Sequence, residues 1–232
     1  MARIKGIIFD LNGTILWDTA YHNKAWNIFL EKYNINISEQ EIRDNMHGKT
    51  NAEIMKYLFK QDLTLEEINK LASEKEKIYR TLVIEDNLQL ANGVEKLFNY
   101  CLETSIPTSI ATSSDQENSE FYYQRYNLKK WFMPCRYIYN NYTFKSKPNP
   151  EIFIKAANSM LLDPNEVLVF EDSIAGITTA ENFGAGKIII INSTGDDYSK
   201  YPYEMLTDFN EALDIIKNNI TVPRENTYLG KL

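Results

Sequence analysis

Long hydrophobic runs, cysteines and clustered basic residues are all scarce in this chain of 232 residues. No apolar stretch reaches the roughly 18 to 20 residues needed to span a bilayer, and the start Met1-Ala2-Arg3 lacks a signal-peptide pattern. Cys101 and Cys135 are the only cysteines, and a cytoplasmic chain of this size needs no disulfide, so we expect both to be reduced. These absences favour a cytoplasmic protein without a membrane partner.

The charge balance excludes a second class of partner. The 25 Lys and Arg residues are outnumbered by 32 Asp and Glu residues, which gives a formal net charge of −7. Nucleic-acid binding needs clustered basic side chains, so we expect no nucleic-acid partner. The length and the hydrophobic content of 44% are enough to bury a full core in one large domain or two small ones. We take a monomer or a weak homodimer as the expected state.

The segment from residue 18 to about residue 83 has the periodicity of helices alone. Its clearest apolar stripe recurs at helical spacing through His22, Ala25, Trp26, Phe29 and Tyr33. Three capping boxes follow, each with a hydroxyl at the helix start and a carboxylate three residues later, at Ser38-x-x-Glu41, Thr50-x-x-Glu53 and Thr64-x-x-Glu67. The pattern predicts a compact bundle of about four helices over residues 15–88.

The rest of the chain alternates short apolar runs with helical patterns. Residues 108–111, 167–170 and 187–191 are apolar or β-favouring without alternation, as in strands buried on both faces of a parallel sheet. Intervening helices have predicted boundaries at Ser114-x-x-Glu117, at Asn149-Pro150, and at Ser173 and Gly184. We predict a doubly wound α/β core over residues 1–14 and 89–232, with the helical bundle inserted after the first strand and a loosely held tail over residues 221–232.

Polar residues follow the predicted strands at the point where each strand ends. They are Asp10 and Asn12, then Thr112, Ser113 and Ser114, then Glu171 and Asp172, with Lys147 between the last two clusters. Because the carboxyl ends of parallel strands lie at one edge of a sheet, we expect these side chains to meet. Crowded carboxylates repel one another unless a cation neutralises them, and hard oxygen ligands suit Mg²⁺, which we predict as the cofactor.

These clusters belong to four longer motifs, which are Asp10-Leu11-Asn12-Gly13-Thr14, Ile110-Ala111-Thr112-Ser113-Ser114, Lys145-Ser146-Lys147-Pro148-Asn149-Pro150 and Phe170-Glu171-Asp172-Ser173-Ile174-Ala175-Gly176. In order and spacing they resemble the motifs of the haloacid dehalogenase superfamily, in the branch with a helical cap inserted after the first motif. Two flanking stretches, Ala20-Tyr21-His22-x-x-Ala25-Trp26 and Pro150-Glu151-Ile152-Phe153, are more similar to the β-phosphoglucomutase-like subgroup. The resemblance implies a Rossmann-like core and a small phosphorylated metabolite as substrate.

The resemblance also implies roles for the motif residues. Asp10 would be the nucleophile that forms an aspartyl-phosphate, while Thr112 and Lys147 would hold the transferring phosphoryl group. The implied magnesium ligands are Asp10, Asp172, Glu171 and the backbone carbonyl of Asn12. The implied substrate-binding residues are Ser113, Ser114, His22, His47 and Lys49. For His22, on an apolar helix face, we favour packing by about two to one over contact with substrate.

Asn12 stands where phosphatases of this superfamily have a second aspartate that protonates the leaving oxygen and then activates water. An amide cannot exchange a proton near neutral pH, and losing a positioned acid-base group costs about 10²- to 10⁴-fold in rate. We therefore expect a Mg²⁺-dependent phosphohydrolase that is weak or restricted to good leaving groups. Replacing Asn12 by aspartate is expected to raise the rate on alcohol-derived esters.

Three alternatives stay open at this point. The chain could be a catalytically impaired protein that binds phosphate or a metabolite on the same scaffold. A phosphomutase like β-phosphoglucomutase must shuttle a proton to and from a sugar hydroxyl, so Asn12 disfavours it more strongly. A phosphonatase-like enzyme needs a cap lysine for a Schiff base, and Lys49 is the near candidate.

Overall fold

The computed structural model describes residues 3–38, 41–42, 45–46, 51–60, 63–141 and 143–220. The strands are β1 (Gly6–Phe9), β2 (Thr108–Thr112), β3 (Tyr137–Tyr139), β4 (Val167–Glu171), β5 (Lys187–Ile191) and β6 (Glu204–Leu206). They form one sheet in the order β3-β2-β1-β4-β5-β6, and all neighbours pair in parallel. Since β1 lies in the middle of the sheet, the residues that follow it are flanked on both sides by other strand ends.

Helices lie between most consecutive strands. They are α1 (Thr19–Lys32), α2 (Asn51–Phe59), α3 (Leu65–Glu85), α4 (Val94–Glu103), α5 (Gln116–Arg125), α6 (Glu151–Ser159), α7 (Ile174–Phe183) and α8 (Phe209–Asn219). Residues 41–42 and 45 are also helical. No helix among the described residues is long and apolar enough to cross a membrane.

The central strand is buried on both faces because helices cover the sheet on either side. Phe9 of β1 stacks on Phe170 of β4 with ring centroids 5.2 Å apart, and it meets the edge of Phe98 from α4. Ile8 points the opposite way, into a second cluster that contains Phe153 of α6. Because both faces of the central strands are buried, their sequences are continuous apolar runs. The predicted doubly wound α/β core is confirmed.

The register of the sheet places the carboxyl ends of β1, β2 and β4 next to one another. Phe9 pairs with Ile110 of β2 and with Phe170 of β4. The next residues along the chain, Asp10 and Glu171, therefore leave the sheet side by side. The backbone N–H of Asp10 continues the pairing by donating to the carbonyl of Phe170 at 3.0 Å.

The helical segment that follows β1 has a hydrophobic cluster of its own. Its buried members are Trp26, Phe29, Leu30, Met46, Ile54, Met55, Leu58 and Ile68. The second half of α3 instead packs into the core beneath the sheet, through Tyr79, Leu82 and Val83. The division into a cap over residues 15–88 and a core over residues 1–14 and 89–232 stays a prediction, which the separate cluster supports.

Polar contacts also tie α3 to α5 across this boundary. Asn118 on α5 donates to Glu76 Oε2 at 2.7 Å and accepts from Arg80 at the same distance. Arg80 also pairs with Glu117 at 2.7 Å. Two helices from distant parts of the chain are thus held in a fixed orientation beside the ends of the strands.

Several predicted helix boundaries are confirmed. Thr64 and Glu67 form both hydrogen bonds of a capping box, and Ser38 exchanges hydrogen bonds with Glu41. Ser173 caps α7, and Gly184 ends that helix with a φ of 79°. Thr50, in the remaining predicted capping box, lies outside the described residues, as does the predicted tail over residues 221–232.

Two predicted boundaries are wrong by one residue. The cap of α5 is Asp115, whose carboxylate accepts from the backbone N–H of Asn118, so Ser114 is released for another contact. At α6 the cap position belongs to Pro150, although Asn149 Oδ1 still accepts from the backbone N–H of Glu151. The carboxylate of Asp115 is the stronger acceptor, which explains why it replaces the neighbouring hydroxyl.

Cys101 is buried in the core and Cys135 is exposed, and both are free thiols, as predicted. Burial in apolar surroundings raises the pKa of the Cys101 thiol to about 12. A thiol with such a pKa stays protonated near neutral pH and is inert as a nucleophile. Its contribution is therefore to packing.

Candidate active site

Three carboxylates meet at the ends of β1 and β4. Asp10, Glu171 and Asp172 each offer an oxygen, and these oxygens lie within 4.8 Å of one another. Lys147 enters the cluster from the loop before α6 and donates to Asp10 Oδ1 at 2.6 Å and to Glu171 Oε1. The structure therefore brings together four of the residues that the motifs singled out.

Burial makes it energetically unfavourable for all three carboxyl groups of this cluster to be charged at once. Burial raises the pKa of Asp10 to about 7, with Lys147 opposing the shift and Glu171 adding to it. Burial also raises the pKa of Asp172 well above its usual value, and the neighbouring charges of Glu171 and Asp10 add to that shift. Both shifts express the cost of holding like charges together away from water. One ammonium among three carboxylates leaves negative charge that a further cation would stabilise.

Glu171 is fully engaged by protein donors. Its Oε1 accepts from Lys147, and its Oε2 accepts from the backbone N–H groups of Asp172 and Ser173 and from the Ser173 hydroxyl. Gly176 on the first turn of α7 makes this possible, because a Cβ there would lie 1.8 Å from the Glu171 carboxyl group. The fully buried Glu171 side chain thus orients Lys147 and the turn into α7.

Asp172 faces the same space with a less crowded carboxylate. Thr14 donates its hydroxyl to Asp172 Oδ1 at 3.0 Å, and Tyr198, from the loop after β5, donates to the backbone carbonyl of Asp172. Together with Asp10, this carboxylate presents hard oxygen atoms in a largely buried cluster. Such a donor set fits a divalent cation of the Mg²⁺ type, which prefers oxygen ligands and keeps part of its water shell.

A second group of polar side chains surrounds Asn12. Its Oδ1 accepts from the Ser114 hydroxyl at 2.7 Å and from the Thr112 hydroxyl at 3.3 Å. Its Nδ2 donates to Asp18 Oδ2 at 2.6 Å and to the Tyr122 hydroxyl at 2.9 Å. The ends of β1 and β2 are thereby joined through one amide.

Asp18 connects several members of this second group through hydrogen bonds to its buried carboxylate. The carboxylate is fully buried and accepts from the backbone N–H of Gly13 at 3.0 Å and from the hydroxyl of Tyr79. Burial favours the neutral acid, but hydrogen bonds from His22, Tyr79 and Asn12 outweigh it and hold the pKa of Asp18 below its usual value. Asp18 is therefore a buried anion that ties the first motif to the helical segment.

His22 belongs to the helical wall of this group. Its ring stacks on Tyr79 with centroids 3.9 Å apart, and Lys75 Nζ lies 2.9 Å from its Nδ1. Its Nε2 lies 3.4 Å from Asp18 Oδ2. These contacts agree with the packed interpretation of His22, although a quarter of the side chain remains exposed.

The match to a family model agrees with this geometry. The model of the haloacid dehalogenase-like hydrolases covers residues 7–190, which include both polar groups. This chain is a haloacid dehalogenase-like hydrolase. The predicted family and the predicted enzyme class are confirmed.

Solved and curated proteins similar to this chain include a HAD hydrolase of known structure and two phosphatases. A HAD hydrolase of family IA, variant 3, from Entamoeba histolytica is 32% identical, with a TM-score of 0.82 over 93% of this chain and 100% of that chain. The phosphorylated carbohydrates phosphatase of Thermotoga maritima is 24% identical over 83% of this chain and 88% of the relative. The fructose-1-phosphate phosphatase of Escherichia coli is 26% identical over 78% of this chain and 94% of the relative.

Other predicted site residues of the hydrolase are not brought into either group. Ser113 is exposed at the end of β2, next to the engaged Thr112 and Ser114. His47 and Lys49 lie outside the described residues. Sequence reasoning missed Asp18 and its hydroxyl partners, because an aspartate directly before a helix reads as an ordinary cap. The structure puts Asp18 at the cap position of α1 without any side-chain cap, since its carboxylate is engaged elsewhere.

Gly13 keeps the two halves of the hydrolase site in close contact, and its replacement by alanine is expected to weaken the affinity of the carboxylate cluster for any divalent cation, for which Mg²⁺ is the probe. At a φ of 79°, a Cβ on Gly13 would lie 2.0 Å from Asp172 Oδ2, so this carboxylate must move. We expect Gly13→Ala to reduce Mg²⁺ affinity by about 10- to 100-fold in titration calorimetry.

Gly195 provides the matched control for this substitution. It has the same φ of 79°, but a Cβ there would meet nothing within 4 Å. Gly195→Ala therefore carries the backbone strain without the clash and is expected to keep wild-type affinity. Equal affinities in the two variants would show that Asp172 does not hold the cation.

Proposed function

We propose that this hydrolase is a Mg²⁺-dependent phosphatase of small phosphorylated metabolites and that Asp10 is its nucleophile. The observation that carries the proposal is the buried contact of Asp10 with Lys147, 2.6 Å long, beside Asp172 at the ends of the central strands. A carboxylate oriented by an ammonium and placed next to a cation site suits attack on phosphorus. Two curated relatives whose names are phosphatases, one for phosphorylated carbohydrates and one for fructose-1-phosphate, support the substrate class.

The proposed cation would be held by the carboxylates of Asp10 and Asp172 and by the backbone carbonyl of Asn12. Glu171 would act beside it by fixing Lys147, because both of its oxygens already accept protein hydrogen bonds. When bound, the cation would neutralise charge on the carboxylates and on the phosphoryl oxygens. This charge compensation would also relieve the repulsion that adds to the effect of burial in raising the pKa of Asp172.

Each protein group has a separate proposed role in phosphoryl transfer. One oxygen of Asp10 is held by Lys147, which leaves the carboxylate in a fixed orientation for attack. The Lys147 ammonium remains charged, because Asp10 and Glu171 outweigh the effect of burial and raise its pKa. Lys147 is proposed to contact the phosphoryl oxygens, where developing negative charge is greatest. The Thr112 hydroxyl, whose 3.3 Å hydrogen bond to Asn12 Oδ1 is the longest in the group around Asn12, is proposed to turn toward the phosphoryl group when substrate binds.

The helical segment over residues 15–88 is proposed to form the cap that encloses the substrate. On this proposal, His47 and Lys49 contact the metabolite from the cap, and Ser113 and Ser114 contact it from the core. His22 borders the same space from α1, where its ring stacks on Tyr79. Enclosure of the site would exclude water and strengthen the contacts to the phosphoryl group.

A panel of phosphorylated metabolites tests the proposed function. Release of phosphate is measured for sugar phosphates, glycerol phosphate and acetyl phosphate, with Mg²⁺ and with a chelator. We expect turnover of at least one substrate to depend on Mg²⁺, with a loss of about 10²-fold or more in the chelator. A panel without Mg²⁺-dependent turnover, combined with tight ligand binding in calorimetry, would indicate a metabolite-binding protein instead.

A further inference from the structure

The amide of Asn12 has no hydrogen-bonding capacity left for a substrate. A primary amide offers two N–H donors and an oxygen with two lone pairs. Both N–H groups are taken, by Asp18 and by Tyr122, and the oxygen accepts from Ser114 and Thr112. All four positions are therefore filled by protein groups.

The orientation of this amide is dictated by its surroundings. Asp18 is a buried carboxylate and can only accept, so the nitrogen of Asn12 must face it. The hydroxyl of Ser114 lies on the other side, 2.7 Å from the amide oxygen. Asp18 is itself fixed by the backbone of Gly13 and the hydroxyl of Tyr79. The site is thus built around a hydrogen-bond donor at position 12.

The neighbouring proton donors are engaged as well. The Lys75 ammonium lies 2.9 Å from Nδ1 of His22, and Nε2 of the same ring lies 3.4 Å from Asp18 Oδ2. The Lys147 ammonium donates to Asp10 and Glu171. Among the described residues of the site, these three basic side chains are therefore committed to protein partners.

We propose that this hydrolase acts on phosphoryl donors whose leaving group departs as a stable anion, and we assign acyl phosphates as the class. The inference rests on the proposed function, because it requires Asp10 as the nucleophile. A carboxylate leaves from an acyl phosphate without taking up a proton, whereas a sugar alkoxide needs one. The locked Asn12 can supply none.

The two steps balance without an acid-base residue. In the first, an Asp10 oxygen bonds to phosphorus while the bond from phosphorus to the leaving oxygen breaks, and the electron pair departs with the carboxylate. In the second, water bonds to phosphorus and the electron pair of the breaking bond returns to Asp10. One water proton stays on the phosphate and the other goes to solvent. Since no side chain takes that proton, the second step is slow and the aspartyl-phosphate accumulates.

A swap of the amide and the carboxylate tests this inference. The single change Asn12→Asp, expected from the sequence alone to raise the rate on alcohol-derived esters, would set two carboxylates against each other at the 2.6 Å contact with Asp18 and is not a clean test. The double change Asn12→Asp with Asp18→Asn exchanges the two groups and keeps one donor facing one acceptor. It supplies a carboxyl group at position 12 without the repulsion. Asn158→Asp, on the exposed face of α6, controls for an asparagine-to-aspartate change made away from the site.

The readout is kcat/KM for acetyl phosphate divided by kcat/KM for glycerol phosphate. Intrinsic reactivity of the two compounds is the same in every comparison, so only the enzyme changes the ratio. We expect the wild-type ratio to exceed that of the double variant by about 10²-fold or more, and Asn158→Asp to match the wild type. Equal ratios in the wild type and the double variant would overturn the inference while leaving the proposed function intact.

A second measurement keeps the inference open to disproof if the double variant does not fold. Wild-type protein mixed with acetyl phosphate and Mg²⁺ is quenched in acid, and its intact mass is recorded. We expect the species carrying one phosphoryl group to predominate. Rapid turnover of acetyl phosphate without this species would overturn the inference. Absence of any turnover or phosphorylation that depends on Asp10 would contradict the proposed function itself.

Discussion

Replacing Asp10 by asparagine is expected to abolish phosphate release, with a loss on the order of 10⁴-fold or more in kcat/KM. The amide has nearly the shape of the carboxylate, but its uncharged oxygen is a poor nucleophile toward phosphorus. It also removes one of the two carboxylates proposed to hold the cation. Initial rates with the best substrate of the panel, at saturating Mg²⁺, measure this loss.

The same variant separates chemistry from folding. Burial raises the pKa of Asp10 to about 7, which shows that its charge is unfavourable in the folded protein. Asp10→Asn removes that charge while Lys147 keeps Glu171 as a partner, so we expect no loss in the urea midpoint. Asp214→Asn, on the exposed side of α8, is the matched control and should keep full activity. Activity of Asp10→Asn within about tenfold of the wild type would exclude Asp10 as the nucleophile.

Replacing Lys147 by methionine is expected to have the largest effect on stability. The ammonium is almost fully buried between Asp10 and Glu171, and its removal leaves buried carboxylates without their partner. Breaking a buried ion pair in this way costs about 3 to 5 kcal/mol of unfolding free energy. Methionine is unbranched and nearly as long as lysine, and its thioether can pack against the ring of Phe153 over which the Lys147 ammonium lies, so the main change is the loss of charge. Urea unfolding in the presence of a chelator measures the cost.

Addition of Mg²⁺ should recover part of the stability lost in Lys147→Met, because a bound cation compensates the same carboxylates. Activity should stay low, since the variant cannot contact the phosphoryl oxygens. Lys155→Met removes an exposed lysine from a surface pair with Glu151 and should leave the unfolding midpoint nearly unchanged. A Lys147→Met protein as stable as Lys155→Met, with or without Mg²⁺, would refute this account of the cluster.

The sequence was sufficient for the strands that are buried on both faces. β1, β2, β4 and β5 are dominated by apolar, β-branched or aromatic residues, so hydrophobicity alone marks them. β3 and β6 escaped prediction because each has three residues and lies at an edge of the sheet, where side chains are only partly buried. Their pairing is set by the neighbouring strand rather than by their own pattern.

Part of the candidate site could likewise be predicted from the sequence, and part could not. Asp10, Lys147, Glu171 and Asp172 could be grouped in advance because parallel strands end at one edge. The cage around Asn12 could not, since Asp18, Tyr79 and Tyr122 reach it from three separate helical elements. Contacts of this kind depend on tertiary packing, and neither periodicity nor spacing encodes them. The sequence showed that position 12 is an asparagine, but it did not show the hydrogen bonds that its amide makes.

The hydrogen bond between Asn12 and Asp18 also has an evolutionary consequence. Positions in direct contact are energetically coupled, so the effect of a change at one depends on the residue at the other. A lineage that restored a carboxylate at position 12 first would bury two like charges, and one that changed Asp18 first would leave two amides in contact and no carboxylate at either position. Either route passes through an unfit intermediate. The pair is therefore expected to be inherited together, and ancestral reconstruction should find the two substitutions on the same branch.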